Sequence, residues 1–420
     1  MNDTPRHHFS DALKLSEVRL FIGSTAFFTL AVRSLYVVIG FQVYRLTHNP
    51  LFLGWLGLVE AIPALSLVLF GGWAADHFNR RNILLVTRAA SCLCALALVW
   101  LSWEGVEASI VGLYAVIFLA GVARGFADPA NTAFEAQIVP RHLTVNAASW
   151  ISSTWISCSV LGPAAIGFIF DSRGAVGSYL VIAVCFALSW VCTALIAPPA
   201  GGGSASGGKP LPAAGPREPV LKSIGRGWHF IFTNPALLGA MALDLFAVLF
   251  GGAVALLPVY AEDILHVGAK GLGLLNAAPS LGALLITLAA TRHPPITRAG
   301  RNLLLAVAGF GVSILVFAFS KSFWLSMAAL FSSGVFDGIS VVIRRSMVRL
   351  LSPDPLRGRI AAAGWVFICA SNELGAFESG MLAAWIGTVP CVAAGGFVTL
   401  GIVALTAAFA RKLRELRFDL

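Results

Sequence analysis

The chain has 420 residues, of which 58% are hydrophobic and only 12% are charged, whereas soluble domains carry roughly 25% charged residues. So much apolar surface excludes a water-soluble fold, and the apolar stretches lack the period-two alternation of barrel strands. The net charge of +9 is dispersed over short segments between these stretches. We therefore assign it to membrane topology and anionic lipid headgroups, and we expect no nucleic-acid partner.

Apolar stretches of about 20 residues, the length that spans a bilayer as a helix, recur along the chain. They predict an all-α integral membrane protein with twelve transmembrane helices. In the first half these are 19–44, 51–74, 82–102, 109–127, 146–170 and 176–197. In the second half they are 235–260, 271–291, 302–320, 323–344, 359–384 and 387–410. The residues before Leu20 contain no long apolar core followed by a small-residue cleavage site, so we expect no cleavable signal peptide and a first helix that is retained.

The Lys and Arg residues predict the orientation of the chain. Most of them fall at loops or helix ends on one side of the membrane, with Arg45, Arg173, Lys270 and Lys321 on the other. Because basic loops resist translocation, we expect both termini in the cytoplasm and a multi-pass protein of the cell inner (plasma) membrane.

A polar, flexible segment divides the chain into two halves. Gly, Pro and Ser dominate the residues that follow Ala197, and such a composition builds neither a span nor a core. Residues 219–234 combine cations with aromatic residues and predict a short amphipathic helix on the membrane surface. We therefore predict an N-terminal six-helix bundle at 1–197, a cytoplasmic linker at 198–234, and a C-terminal bundle with a cytoplasmic tail at 235–420.

A short internal similarity supports pseudo-symmetry between the halves. Ala147-Ala148-Ser149-Trp150 at the start of helix five resembles Ala362-Ala363-Gly364-Trp365 at the start of helix eleven. Parallel repeats of this kind occur in transporters that bind substrate near the middle of the membrane.

Motifs of enzyme chemistry are missing from the sequence. It has no Walker loop, dinucleotide fingerprint, metal-ligand spacing or Gly-x-Ser-x-Gly motif. The seven cysteines all lie in predicted apolar helices, which favours small packing residues over disulfides or metal ligands. We expect no enzyme activity, catalytic residue, metal or cofactor, and a monomer whose partners are a small-molecule substrate and the bilayer.

The loop after helix two carries a recognisable motif. It reads Gly72-Trp73-Ala74-Ala75-Asp76-His77-Phe78-Asn79-Arg80-Arg81 and resembles the signature loop Gly-x-x-x-Asp-(Arg/Lys)-x-x-Arg-Arg of the major facilitator superfamily, with His77 in place of a permanent cation. The resemblance implies a conformational gate formed by Gly72, Asp76, Arg80, Arg81 and Asp128, with Arg80 or Arg81 reaching Asp128 or Glu135. The alternative is a solvated turn with topology-setting arginines.

Further runs point to one branch of that family. Gln42-Val43-Tyr44, Pro219-Val220-Leu221-Lys222-Ser223-Ile224, Leu356-Arg357-Gly358-Arg359 and residues 371–380 (SNELGAFESG) are similar to the enterobactin-exporter-like efflux proteins of the superfamily. This resemblance implies the major facilitator fold and export from the cytoplasm, driven by proton entry, of siderophores or diverse amphiphiles. Gly162, Pro163 and Gly167 in helix five are similar to an element associated with antiporters, and a purely structural kink explains them equally well.

Ionisable side chains inside membrane spans are costly and by default mark pathways or proton relays. The candidates are Arg33, Glu60, Asp244, Asp337, Glu373 and Glu378. The family architecture favours Arg33, Asp244 and Asp337 as cavity residues. We predict Asp244, Asp337, Glu60 and Glu378 as proton-coupling candidates; the alternative is that Arg33 or Arg344 holds a carboxylate in a packing pair. Glu373 fits a packing role better than a role in proton transfer.

Aromatic side chains provide candidates for an amphipathic substrate, although most of the 29 Phe residues must face lipid or other helices. The cavity candidates are Arg33, Tyr36, Phe27, Phe28, Phe246, Phe250, Phe336 and Trp365. The leading hypothesis is a proton antiporter that exports siderophore-like compounds or drugs by alternating access. A lysophospholipid or lipid transporter without proton coupling and a non-transporting membrane sensor are the alternatives.

Overall fold

The computed structural model describes residues 11–103, 109–197, 220–290, 295–353 and 357–418, and within these ranges it contains helices and no strands. The all-α prediction is confirmed. The predicted Gly, Pro and Ser segment lies mostly outside the described residues.

Within the described ranges, twelve helices of 14 or more residues follow one another in chain order. They are α1 (Ser16–Thr47), α2 (Pro50–His77), α3 (Arg80–Leu101), α4 (Ile110–Ile138), α5 (Thr144–Leu195), α6 (Val220–Thr233), α7 (Pro235–Phe250), α8 (Gly268–Ala290), α9 (Ala299–Phe319), α10 (Phe323–Leu351), α11 (Arg357–Ile386) and α12 (Thr388–Phe409). Short helical turns follow α7 up to Ile264, and Arg411–Arg414 forms one turn after α12.

Membrane-length helices account for the predicted spans. Ten helices of the described part are long and apolar enough to cross a bilayer, with Pro235–Ile264 counted as one of them. The 52-residue α5 also counts once, although Gly174 (φ 65°, ψ −165°) divides it into two segments. The 30-residue α11 has the length of a span without being among the ten. With both segments of α5 and with α11, the number reaches the twelve predicted from sequence.

Local sequence explains several helix starts. The side chains of Asn79, Ser109 and Asn234 accept hydrogen bonds from backbone N–H groups of the first turns of α3, α4 and α7, as N-cap residues do. Pro235 occupies the first turn of α7, where its missing N–H costs nothing.

Two predicted helix ends are wrong. Helix four, predicted to end at 127, continues to Ile138 and accommodates Pro129 in its interior. Helix ten extends seven residues beyond the predicted 344, to Leu351. In helix seven the regular α-helix ends at Phe250, where two glycines follow, but the predicted span to 260 is supported, because helical turns continue it to Ile264. The apolar stretches end at charged residues and proline, but a helix is not obliged to stop where its apolar stretch does.

Contacts between Cα atoms divide the chain into two compact units, which are described separately below. Unit 1 comprises Met1–Gln42 and Val59–Pro212, and unit 2 comprises Val43–Leu58 and Ala213–Leu420. Unit 2 thus takes the end of α1 and the start of α2, where the Tyr44 hydroxyl donates a hydrogen bond to Asp263. Nearby, Arg45 Nε lies 3.5 Å from Glu262 Oε1.

Candidate functional site

A buried charge cluster in unit 2 joins α7 and α10. Arg344 forms an ion pair with Asp244, and its Nη2 lies 4.0 Å from Asp337 Oδ1. The side chains of Arg344 and Asp244 are only 12% and 9% exposed, whereas that of Asp337 is 46% exposed. The sequence predicted both carboxylates, and the structure brings them to one arginine.

A small cavity lies beside this cluster. The residues that line it are Asp244, Ala247, Val248, Val307, Phe310, Phe336, Asp337 and Ser340. Both carboxylates therefore border the same space, together with Phe336 from the predicted cavity set. The hydroxyl of Ser340 is buried and has no hydrogen-bond partner within the described ranges.

Close helix packing in unit 2 fixes the rotation of α10. Gly334 packs against the backbone of Pro279 on α8, and a Cβ atom at Gly338 would lie 3.2 Å from Ala283 Cα. Small residues of this kind allow membrane helices to approach closely. Asp337 and Arg344 are seven residues apart, so they share one face of the helix that the glycines hold in place.

A second charge cluster lies in unit 1. The Tyr36 hydroxyl on α1 donates a 2.6 Å hydrogen bond to Glu60 Oε1 on α2. Arg124 Nη1 on α4 donates to the same carboxylate at 3.1 Å and to the Tyr36 oxygen at 3.0 Å. Arg124 Nε is also 3.5 Å from Asp128 Oδ2. Tyr36 and Glu60 were predicted from sequence; their arginine partner was not.

Glycines again explain why these side chains meet. A Cβ atom at Gly121 would lie 2.8 Å from Pro63 Cγ on α2, and one at Gly125 would lie 2.9 Å from Leu67 Cβ. Gly121 and Gly125 are one turn apart on α4, which is the small-x-x-x-small pattern of close membrane helices. They draw α2 and α4 together and thereby place Arg124 beside Glu60.

The spacing of these glycines was a signal that the sequence interpretation did not use. Arg124 was assigned to a helix end, because helix four was predicted to stop at 127. With α4 continuing to Ile138, Arg124 is an intramembrane cation and belongs with the candidates.

Arg33 lies apart from both clusters. Its guanidinium carbon is 4.9 Å from the centre of the Trp155 ring, and no carboxylate in the described part of the chain pairs with it. Gly162 on α5 packs next to it, since a Cβ atom there would meet Arg33 Cβ at 3.3 Å and the Leu30 carbonyl oxygen at 3.2 Å. Gly162 thus permits close approach of α1 and α5, and Pro163 and Gly167 are buried beside it.

The predicted gate has different contacts from those expected. Arg80 donates to the carbonyl oxygens of Ala75 (3.1 Å) and Ala133 (3.2 Å), and Arg81 donates to the carbonyl of Ala194. Asp128 lies within α4 and pairs with Arg124. The expected ion pair from Arg80 or Arg81 to Asp128 or Glu135 is therefore not formed among the described residues. The extra length of α4 is the reason, because it places Asp128 inside the helix.

Two other gate residues also differ from expectation. Gly72 has no atom within 4 Å of a hypothetical Cβ, whereas Gly71 packs directly on the backbone of Gly125. The close-approach glycine is therefore Gly71. Asp76 is exposed and has no ion-pair partner in the described part of the chain. His77 stacks on Trp73, with 4.7 Å between the ring centres.

The remaining candidates have mostly packing contacts. Phe28 lies edge-on to Phe186 at 5.7 Å between ring centres. Phe246 and Phe250 stack at 6.5 Å. Glu378 is half-buried beside the Ser379 hydroxyl at 3.5 Å. Phe27 is partly buried in α1, and the side chain of Trp365 lies outside those that the structure describes.

Arg88 is a further buried cation that the sequence interpretation missed. It is 3% exposed, and its guanidinium donates to the hydroxyls of Ser24 and Thr193. It also lies over the Phe28 ring at 5.6 Å. Neutral hydroxyls from α1 and α5 hold this charge, which fits a packing role within unit 1.

Comparison with known proteins agrees with this architecture. The chain is 25% identical over 384 residues to "Enterobactin exporter EntS" of Shigella boydii serotype 4 (strain Sb227), covering 91% of this chain and 88% of that protein. The same values hold for "Enterobactin exporter EntS" of Escherichia coli O1:K1 / APEC.

Solved structures show the same fold. A POT family transporter in complex with 5-aminolevulinic acid superposes with a TM-score of 0.72 at 11% identity, over 94% of this chain and 96% of that one. The POT family transporter PepTSo gives 0.69 at 14% identity, over 94% and 98%. The sequence profile of the Major Facilitator Superfamily matches residues 21–302. With its membrane-length helices, this multi-pass protein is a transporter of the Major Facilitator Superfamily.

Proposed function

We propose that this protein exports small amphipathic molecules, siderophore-like compounds first among them, from the cytoplasm in exchange for protons. The observation that carries the proposal is the buried Asp244–Arg344 ion pair with Asp337 beside it. A charged cluster in membrane helices is expensive and by default serves transport. The direction and the cargo class rest on the relatives named as enterobactin exporters.

The chemistry of the unit 2 cluster supports proton coupling. Protonation of Asp244 would remove the counter-charge of Arg344, and an uncompensated buried charge is strongly unfavourable. Arg344 would then pair with Asp337, whose carboxylate is already at 4.0 Å. The cavity that both carboxylates border measures only about 10 Å³, which is too small for cargo, so proton and cargo would act on this cluster in different states of the transport cycle. Each would thereby bias the transporter toward a different state.

The unit 1 cluster supports a second proton-sensitive point. The Glu60 carboxylate accepts hydrogen bonds from both Tyr36 and Arg124, and its protonation would weaken both contacts. Arg33, which is not held by a carboxylate in the described part of the chain, would attract an anionic or aromatic group of the cargo. Transport would proceed by alternating access, with the cargo site open to one side of the membrane at a time.

The setting of this function is part of the proposal. We place the protein in the cell inner membrane with both termini in the cytoplasm. We propose that it acts as a monomer and uses the proton gradient without a bound cofactor. The gate loop around Asp76, Arg80 and Arg81 would contribute to the change of state through the carbonyl contacts of its two arginines.

The first experiment identifies the cargo. Cells that lack the protein and complemented cells are grown under iron limitation, and secreted small molecules are measured by mass spectrometry. We expect an iron chelator to disappear from the medium and accumulate inside the deletion strain. An unchanged chelator would reject the siderophore assignment, and efflux of dyes and lysolipids would then decide between broad amphiphile export and lipid transport.

The second experiment tests the coupling. Purified transporter is reconstituted in vesicles, and cargo movement against its gradient is measured with an imposed pH difference. The double variant Asp244→Asn, Asp337→Asn should lose uphill transport. The control Asp171→Asn, at an exposed site away from both clusters, should retain it. Uphill transport by the double variant would refute the proton assignment.

A further inference from the structure

A basic cavity lies at the end of unit 2 where α9 begins. It measures about 280 Å³, and its lining residues are Arg298, Arg301, Arg414, Glu415, Leu416 and Arg417. Two of the arginines precede or begin α9, and two belong to the segment that follows α12. It is separate from the clusters of the membrane helices and has no part in the proposed exchange.

Backbone contacts hold the two halves of this cavity together. The Gly300 N–H donates to the Leu416 carbonyl at 3.3 Å, and the Phe418 N–H donates to the Thr297 carbonyl at 3.3 Å. Leu413 is fully buried in a core with Ala299 and Leu303. The C-terminal segment is therefore anchored across the start of α9, and its arginines are brought to the cavity by the fold.

Among the described residues that line the cavity, four arginines accompany a single carboxylate. None of the four arginines forms an ion pair with a carboxylate in the described part of the chain. Glu415, the acid in the lining, accepts a 2.8 Å hydrogen bond from Arg411 instead, and this bond lowers the pKa of the Glu415 carboxyl. Arg414 donates only to the Ala407 carbonyl, at 3.1 Å.

Several guanidinium groups around one cavity repel one another, and an anion between them would offset that repulsion. The guanidinium fork matches the geometry of phosphate oxygens and forms paired hydrogen bonds with them. A carboxylate also pairs with a guanidinium fork but has only two oxygens, whereas a phosphate group has more acceptor oxygens to share among several arginines. The number of arginines therefore favours a phosphate group as the ligand.

We propose that this cavity binds a phosphate-bearing anion, as a site distinct from the transport site. Its place at the end of the apolar helix α9 is the depth at which lipid headgroups lie. An anionic phospholipid is one source of such a phosphate group, and free phosphate from solution is the other.

The test is a binding measurement on the full-length protein, purified in a lipid-free nonionic detergent. Isothermal titration uses three probes: short-chain phosphatidylglycerol, inorganic phosphate, and short-chain phosphatidylcholine as a zwitterionic reference. The cavity variant is Arg298→Gln, Arg417→Gln. The control variant Lys321→Gln, Lys412→Gln removes the same charge from exposed residues outside the cavity. All four positions are exposed, and unchanged thermal unfolding checks that each variant is folded.

We expect phosphatidylglycerol to bind the native protein and the cavity variant to bind it at least tenfold more weakly, with the control variant within twofold. If the lipid results are as expected and inorganic phosphate does not bind, the cavity is a site for a lipid headgroup. If the native protein also binds inorganic phosphate, and the cavity variant loses that binding by the same factor, the cavity is a site for the free anion. The proposal is overturned if neither probe binds, if phosphatidylcholine binds as well as phosphatidylglycerol, or if the control variant loses as much as the cavity variant.

Discussion

Replacing Asp244 by Asn isolates the energetic role of the unit 2 ion pair. The pair is buried, with side chains 9% and 12% exposed, and removing one partner of such a pair typically costs about 3–5 kcal/mol. Asp337 lies near the same guanidinium and provides a substitute partner, so we expect the lower end, about 3 kcal/mol. Asp337→Asn affects a half-exposed contact at the distance limit and should cost under about 1 kcal/mol.

The assay is thermal unfolding in detergent with a thiol-reactive fluorophore. Cys158 and Cys391 are buried and free, so their thiols become reactive when the helices separate. For a unit of this size, about 3 kcal/mol corresponds to a melting temperature lower by at least several degrees. Asp337→Asn serves as the internal comparison, because it removes the same charge from the same cavity.

A double-mutant cycle completes the test. Asp244→Asn and Arg344→Gln are measured singly and together, and the pair predicts a coupling free energy of at least about 1 kcal/mol. The double variant should be no less stable than the worse single variant, because neither buried charge is left alone. Strict additivity of the two single-variant free energies would refute the assignment of a strong buried pair. So would an Asp244→Asn variant that has the same melting temperature as Asp337→Asn.

Three further outcomes test the helix contacts, each by melting temperature in detergent. Gly125→Val should destabilise the protein by about 3 kcal/mol through overpacking against α2. Gly72→Ala, with open space around it, should change the stability by no more than about 0.5 kcal/mol. Equal shifts in melting temperature for the two variants would contradict the packing argument. Gly174→Ala should cost about 1–3 kcal/mol more than Gly72→Ala, because its φ of 65° and ψ of −165° suit glycine alone. Glu60→Gln and Arg124→Gln should each destabilise, and their combination should be clearly less than additive.

The helices themselves were predictable because hydropathy is a local property. Each span needs about 20 apolar residues, and the predicted stretches correspond to the observed helices with modest shifts at most ends. The clearest exception is α4. Asp128 and Pro129 read as a break in the apolar pattern, but α4 continues through them, because proline inside a membrane helix is tolerated when neighbouring groups satisfy the freed carbonyls.

The partners of the charged residues were less accessible from sequence. Glu60 was a candidate because it interrupts an apolar stretch, and its partner Arg124 is 64 residues away on another helix. Nothing local specifies such a pairing; the contact depends on how closely α2 and α4 pack. The Gly121 and Gly125 spacing is the one sequence feature that predicts that close approach.

The contacts of the carboxylates distinguish the two clusters as proton sites. In unit 2, Asp244 is paired with Arg344, whereas Asp337 lies 4.0 Å from the same guanidinium and its side chain is 46% exposed. Protonation of Asp337 therefore breaks no hydrogen bond in the described part of the chain and leaves the buried pair intact. In unit 1, Glu60 accepts hydrogen bonds from both Tyr36 and Arg124, and its protonation would weaken both, at a cost of about 1 kcal/mol or more each. This difference favours the carboxylates of unit 2 as the residues that take up the proton first in the proposed exchange, with Glu60 as the second point.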